Sequence, residues 1–536
     1  MVREGDVDVV TGDWLSEMNI AWNAIIKAQD PKLGYENGFL EQLSECIEDV
    51  AAKQIKVVTN AGALNPRALT DRVSELCESR GLSRMTVATV VGDDVTHLLK
   101  HNGEGGLRFR HLDDENVTID DWSSTLRSSC AVAYMGAWGI FEALSAGADI
   151  VVCGRVTDAS PVIGAAAWWY NWPKTAYNQL AGALIAGHVI ECGPYAVGGN
   201  FSGFKEHLPD LVDIGFPVAE IQPDGTFYVT KPETMNGTVN KFNITAQLLY
   251  ELQGEEYLNP DVVADLSKIR VDETATPNRV YVSGAVGHPP PATTKVIIAC
   301  PGGFQAEALY YVNGLDLEAK TRMMRAQLEH IFKHSNFCKF SVELYGRTVE
   351  DPHTQQEGTA MLRVFAQARA REDLASDKFK KLIYALRMQS YPGYHMNLDF
   401  RLMDPRPFME MFPSVIPQAL LQHQVLIPNI KKVFDIMPPS ETCEYPTQRR
   451  SYETSNPVDL TAFGKTTKTP LGSIVHARSG DKANNSNVGF FVRHHDEFPW
   501  LQSLLTVEKF KQLLGNDYAN QRVERVEFPL LFAVHL

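Results

Sequence analysis

The sequence predicts an α/β protein whose N-terminal part is a parallel sheet with helices on both faces. Three observations carry that reading. Short apolar runs alternate with helix-length amphipathic stretches through the first two hundred residues. The rhythm changes near Gly215 to closely spaced strands. A polar stretch then sets off a small module beyond residue 470.

Residues 7–11 are short and β-branched, and residues 15–29 follow at helical spacing. Leu40, Leu43, Ile47 and Val50 recur every three to four positions and predict a helix over 38–53. Residues 55–59 form the compact apolar run of a buried parallel strand. A helix over 68–79 and a strand over 86–91 come next; 131–146 reads as a buried helix and 149–153 as the strand after it. In such sheets ligands sit beyond the carboxyl ends of the strands.

Past Gly215, residues 227–230, 279–286, 295–299, 308–312, 340–344 and 361–367 are strand candidates, and 376–390 is helical. Residues 317–334 form an amphipathic helix that gathers Met323, Met324, Leu328, Ile331 and Phe332 on one face. This is an α+β pattern, expected to pack on the first domain. Between 438 and 470 Pro, Ser, Thr, Glu and Arg accumulate without an apolar period, as in a linker. Strands at 472–478, 488–492 and 523–528, with a helix over 498–514, complete a small α+β module. The expected division is 1–214, 215–437, a linker 438–470, and 471–536.

Fifty basic and 65 acidic residues among 536 give a net charge of −15, which argues against a nucleic-acid partner. Eight cysteines lie scattered without a CxxC pair, as expected of reduced thiols in a cytoplasmic protein. The first ten residues lack the apolar core of a secretory signal, and the most apolar stretch, 131–141, is too short to span a bilayer. No membrane association is expected.

Four polar segments can carry chemistry. In Thr59-Asn-Ala-Gly-Ala-Leu-Asn-Pro-Arg67, small residues allow close backbone approach, Asn60 and Asn65 supply donors and acceptors, and Arg67 adds charge at a helix N-terminus. The alternative is an Asn-capped turn with a solvated arginine. In the second segment, 149–160, an apolar strand ends in Gly154-Arg155 followed by Asp158. Opposite charges there must be paired or used: a structural ion pair, or substrate anchoring by Arg155 with Asp158 as orienter or acid/base.

The third segment holds His188 and Glu191 on one helix face, then Cys192 and a Gly-rich turn into Asn200 and Ser202. Two candidate ligands are a weak metal signal, so no metal is expected, and Glu191 is the better acid/base candidate. Cys192 lacks an assignable His–Asn partner and reads as an inert thiol. The fourth, 476–487, concentrates Arg478, Asp481, Lys482, Asn484, Asn485 and Asn487 between two strands, more polar chain than a hairpin turn needs. Such donors suit a carboxylate or phosphate; a solvated loop is the alternative. Catalytic candidates are thus Glu191, Asp158 and Asp481. The binding candidates are Asn60, Asn65, Arg67, Arg155, Asn200, Ser202, Arg478, Lys482, Asn485 and Asn487.

At these segments the chain resembles the acyclic terpene utilisation AtuA family, through TNAGALNPRAL, ADIVVCGRVTDAS, GHVIECGPYAVGGNFSGF and ARSGDKANNSNVGF. The resemblance implies a ferredoxin-like fold for the last module. It also implies a link to degradation of branched acyclic terpenoids through acyl-CoA intermediates. Members of the family usually carry an extra strand and Gly-rich turn before the stretch matched by residues 5–14, which this chain is expected to lack.

The expected function is that of an enzyme acting on a branched or terpenoid-derived carboxylate or its acyl-CoA thioester, by hydratase- or lyase-type proton abstraction. Arginine and lysine would hold the anionic end, Glu191 or Asp158 would move the proton, and the Asn-rich loops would stabilise an enolate-like oxyanion. No redox cofactor is expected, and CoA enters only as part of the substrate. A homo-oligomer is expected. The alternative is a non-catalytic assembly or regulatory partner of an acyl-CoA-metabolising complex.

Overall fold

The computed structural model describes residues 1–99, 107–114, 116–121, 130–482 and 485–536. These form two compact units: Met1–Asp121, Cys130–Ile298 and Pro413–Leu536 make the first, and Ala299–Phe412 the second.

The first unit is organised around a six-stranded sheet in the order Val9–Gly12, Lys56–Thr59, Ile150–Cys153, Val87–Val91, Gln424–Ile427, Lys432–Asp435. The first four strands run parallel, Gln424–Ile427 pairs antiparallel with Val87–Val91, and Lys432–Asp435 pairs antiparallel with Gln424–Ile427. Alternate residues of a strand face opposite sides, and both sides are covered. Val57, Val87, Ile150 and Val152 pack with Leu43, Ile47 and Val50 of the helix Asn37–Lys53 and with Leu69 and Val73 of the helix Pro66–Ser79. Val58, Ala88, Val90, Val151 and Cys153 pack instead with Ile140 and Leu144 of the helix Trp138–Ser145 and with Ala165 of the helix Ser160–Tyr170. The chain is therefore an α/β protein with helices on both faces of a mostly parallel sheet.

The 131–146 region differs from the expected helix. Cys130–Ala133 is a strand, and the helix starts only at Trp138. A short apolar run fits either state, and here tertiary structure decides. Asp261 Oδ2 accepts a hydrogen bond from the Ala137 amide at 2.7 Å, and a Cβ on Gly136 would lie 2.2 Å from Oδ1 of the same carboxylate.

A larger core joins the apolar helices Ser160–Tyr170 and Tyr177–Ile190 to two antiparallel sheets. One has the order Arg270–Glu273, Val280–Ser283, Phe227–Thr230, Val218–Ile221, the other Val286–His288, Val263–Asp265, Glu256–Leu258. The expected 279–286 strand is thus two strands, divided at Gly284, whose φ of 91° turns the chain. The segment 438–470 holds no helix or strand.

The last module is a four-stranded antiparallel sheet in the order Val475–Lys482, Asn485–Val492, Ala533–His535, Val526–Phe528. Two short helices, Phe498–Leu504 and Val507–Leu514, replace the single expected one. Thr506 interrupts them and caps the second by accepting the Lys509 amide at 3.1 Å. The polar segment 476–487 is not a long loop. Strand pairing runs from Val475↔Val492 to Lys482↔Asn485, so its side chains stand on a hairpin ladder. Asn484 lies outside the described residues.

The strands Lys339–Tyr345, Thr359–Ala368, Thr293–Asn313 and His395–Met396 lie in that order, all within the second unit but for the residues of Thr293–Asn313 before Ala299. Residues 295–299 and 308–312 belong to one 21-residue strand, whose continuity is masked in the sequence by Pro301, Gly302 and Gly303. The amphipathic helix is Leu317–Phe332 and packs Met324, Leu328 and Phe332 on this sheet. The 376–390 helix is shorter than expected, Lys380–Ala385 with a 3-10 turn after it. Among the described residues, no helix is long and apolar enough to cross a membrane.

Candidate functional site

All four parallel strands of the first unit deliver polar side chains at their carboxyl ends. Asp13 follows Val9–Gly12, Asn60 follows Lys56–Thr59, Asp93 follows Val87–Val91, and Arg155 follows Ile150–Cys153. Asp93 fixes the backbone here. Its Oδ2 accepts the Arg155 amide at 2.7 Å, and Gly154 leaves room for it, since a Cβ there would sit 2.4 Å from that oxygen.

Arg155 is 1% exposed. Its guanidinium donates to the Leu15 carbonyl and to Oδ1 of Asp158, and it stacks 4.0 Å above the Tyr134 ring. A buried arginine needs such partners, because removing an unpaired charge from water costs several kcal/mol. The other Asp158 oxygen receives the ammonium of Lys482 at 3.0 Å, and the same ammonium donates to Glu251 Oε2 at 2.8 Å. Glu17 closes the cluster by accepting from the Tyr134 hydroxyl at 2.9 Å and from Lys295 Nζ at 3.1 Å.

The electrostatics follow from this arrangement. Burial opposes ionisation of Asp158, yet Lys482 and Arg155 hold its carboxyl well below the ordinary carboxylate range. Burial likewise opposes Glu17, and Lys295, Lys482 and Arg155 draw it down to about 2. Burial lowers Lys295, helped by Lys482 and Arg155 and opposed by Glu17. Asp13 moves the other way, up to about 6, through burial and the Asp158 charge, with Arg155 and the Asn60 hydrogen bond offsetting part of the rise. Yet Asp13 is exposed to solvent.

Glu191 lies just behind. It ends the helix Tyr177–Ile190, its Oε1 is 3.4 Å from His188 Nδ1, and its side chain is 3% exposed. Burial raises it to about 7, against the pull of His188. His188 Nε2 contacts the Leu248 carbonyl at 3.2 Å. Burial and Glu191 push the Cys192 thiol up, away from the thiolate form. Among the described residues, no group of three or more His, Cys, Asp or Glu is placed to hold a metal ion.

The hairpin of the last module docks on the same unit. Arg478 lies between two rings, 4.5 Å from Tyr195 and 4.2 Å from Tyr250, and donates to the Asn200 carbonyl at 3.3 Å. Asn487 donates to the Leu249 carbonyl at 2.8 Å, and its Oδ1 accepts the Glu251 amide at 3.0 Å. Ser202 Oγ meets His476 Nδ1 at 3.2 Å and accepts the Ala477 amide at the same distance.

Of the residues singled out in the sequence, Asn60, Arg155, Asp158 and Lys482 come together, with Glu191 behind them. Asn60 Nδ2 donates to Asp13 Oδ1 at 2.5 Å and its Oδ1 accepts the Trp14 amide at 2.7 Å. Arg478, Asn487, Asn200 and Ser202 form the docking contacts. The remaining four stand apart from the cluster. Asn65 does not cap its helix; it donates to the Pro31 and Leu33 carbonyls at 3.0 and 2.9 Å. Arg67 is exposed on that helix, Asp481 is exposed on the hairpin, and Asn485 donates to Asp113 at 2.9 Å. Asp13, Glu17, Tyr134, Glu251 and Lys295 were not singled out. Asp13 alone carried a signal, since it ends a strand just as Asn60 does. In the second unit, a shallow pocket of about 320 Å³ beside Lys380, Lys381 and Tyr384 carries none of this chemistry.

Fold and site together define a parallel-sheet α/β protein whose charged strand-end cluster is completed by a lysine from a ferredoxin-like module. The chain belongs to the acyclic terpene utilisation family AtuA: the model of "acyclic terpene utilisation family protein AtuA" matches residues 1–427, and that of the AtuA ferredoxin-like domain matches 469–536. No curated protein and no solved structure matches the chain significantly.

Proposed function

We propose that the protein is an enzyme of acyclic terpenoid utilisation that binds a branched carboxylate or its acyl-CoA thioester and abstracts a proton next to the carbonyl, with addition or loss of water. The observation that carries this reading is the Lys482 ammonium, held among Asp158, Glu251 and Arg155 at the carboxyl ends of the parallel strands. Among the described residues, Lys482 gives two of its three protons to carboxylates and Lys295 gives one to Glu17, so both retain donors for a guest. Such donors, fixed beforehand in a partly dehydrated site, favour the negative charge that develops on an enolate oxygen. The carboxylates around them hold the amines in place, and Asp158 and Glu251 outweigh burial to keep Lys482 charged.

Burying Arg155 and Asp158 in a network of this kind has a cost that assembly alone gives no reason to bear, which disfavours a purely non-catalytic partner. A thermal-shift series on the full chain with isovalerate, isovaleryl-CoA and free CoA tests the reading, because ligands that bind the native state raise its melting temperature. A shift with the acid or its thioester that disappears in Lys482→Met is expected. Equal melting temperatures with and without all three compounds would count against it.

A further inference from the structure

We infer that Asp13, rather than Glu191 or Asp158, is the carboxylate that takes the proton from the substrate. The inference rests on the proton-abstraction reading above and assigns its base.

The carboxyls of the cluster differ in what they are free to do. Asp158 is committed on both oxygens, one to Arg155 and one to Lys482. Glu251 accepts from Lys482, and Glu17 from both Tyr134 and Lys295. Cations hold Asp158 and Glu17 ionised, which makes them poor bases, and Glu251 spends an oxygen on Lys482. Glu191 is enclosed, 3% exposed at its side chain, with His188 against one oxygen. A proton on a substrate carbon has no route to it short of a relay.

Asp13 alone combines access with fixed orientation. It follows the first strand at the carboxyl edge of the sheet, where ligands of α/β sheets bind, and it is exposed. Its Oδ1 is anchored by Asn60 Nδ2 at 2.5 Å and by the Leu15 amide at 3.3 Å. Among the described residues, Oδ2 accepts no hydrogen bond. The carboxyl is therefore held by one oxygen and presents the other. Asp158 and Arg155 face it from the strand-end loop, and Cys192 lies within electrostatic range. Burial and, after it, the Asp158 charge make Asp13 more basic than a solvated aspartate, as a base working near neutrality requires.

In the step assigned, an Oδ2 lone pair takes a proton from the carbon next to the carbonyl. The C–H electron pair forms the enolate double bond, and the carbonyl π pair moves onto oxygen, beside the unused donors of Lys482 and Lys295. Where a β-hydroxyl leaves, it takes the same proton from Asp13 and departs as water. The carboxylate is restored and no further reactant is consumed.

The test is exchange of the α-protons of isovaleryl-CoA in D2O, followed by NMR, on the full chain and on D13N, D13S and E191Q. D13N keeps an acceptor for Asn60, and D13S stands in if that variant does not fold. Expected is a loss of at least 100-fold in exchange rate for the Asp13 variants, with the thioester thermal shift retained. E191Q should stay within about fivefold of wild type, well short of a general-base loss. Exchange at the wild-type rate in a folded Asp13 variant, or loss in E191Q alone, overturns the assignment and leaves the parent reading standing. Wild-type protein that neither exchanges nor shifts with any acid or thioester overturns the parent reading, and the assignment with it.

Discussion

The ammonium of Lys482 stands 3.0 Å from Oδ2 of Asp158, across 324 positions of sequence. That pair joins the ferredoxin-like module to the carboxyl edge of the parallel sheet, and Glu251 shares the same ammonium at 2.8 Å.

Replacing Lys482 with Met should strand the largely buried Glu251 carboxylate and leave Asp158 to Arg155. The expected cost is roughly 3 kcal/mol, the low end for breaking a buried pair from one side. Chemical denaturation at pH 7 measures it. Glu251→Gln in the Lys482→Met background should recover part of the loss, because it removes a stranded charge and leaves the Arg155–Asp158 pair intact.

Arg478 and Tyr250 offer a separate measure of module docking. A double-mutant cycle with Arg478→Lys and Tyr250→Leu should return a coupling of about 1 kcal/mol, since a lysine cannot stack as a plane between two rings. A coupling indistinguishable from zero would mean that the sandwich contributes shape and no cation–π attraction.

Gly154→Ala should be strongly destabilising. The added methyl would sit 2.4 Å from Asp93 Oδ2, and neither the buried carboxylate nor the Arg155 backbone it holds can move away freely. Overpacking of this kind costs about 1–3 kcal/mol or more. A melting temperature equal to wild type would show that the strand end is looser than its contacts imply.

Asp93 and Asp261, both 4% exposed, give the chain a pH dependence of definite sign. Burial raises each carboxyl from 3.8 to about 6. Between those values the folded chain keeps protons that the unfolded chain releases, so stability falls as pH climbs through the window and levels off above it. The upper bound is roughly 3 kcal/mol for each residue. Asp93→Asn and Asp261→Asn should each gain on wild type from pH 4 to pH 6, with a constant gap beyond. Melting curves at half-unit pH intervals read this directly.

Strand ends were the legible part of the sequence. Buried parallel strands announce themselves as compact apolar runs, so Asn60, Arg155 and Asp158, each just past such a run, could be marked as neighbours before their contacts were known. Asp13 obeys the same rule after Val9–Gly12, but that strand is only half-buried and its run is less apolar. Glu17, Tyr134, Glu251 and Lys295 carry no local signal. They stand singly in a helix start, after a strand, after a helix and near the start of a long strand, and only the tertiary path gathers them. The polar segment 476–487 misled in a different way. Its density of charge and amide suggested a loop around a ligand, whereas the ladder turns Arg478 and Asn487 toward the body of the unit and leaves Asp481 in solvent.

The distance in sequence between Asp158 and Lys482 also constrains how the molecule is made. A ribosome releases the sheet core long before it reaches the hairpin, so a nascent chain carries Glu251 without the Lys482 ammonium and Asp158 with Arg155 alone. Until translation passes that point the Lys482 contacts with Asp158 and Glu251 cannot form, and the charged cluster belongs to the finished polypeptide rather than to the growing one.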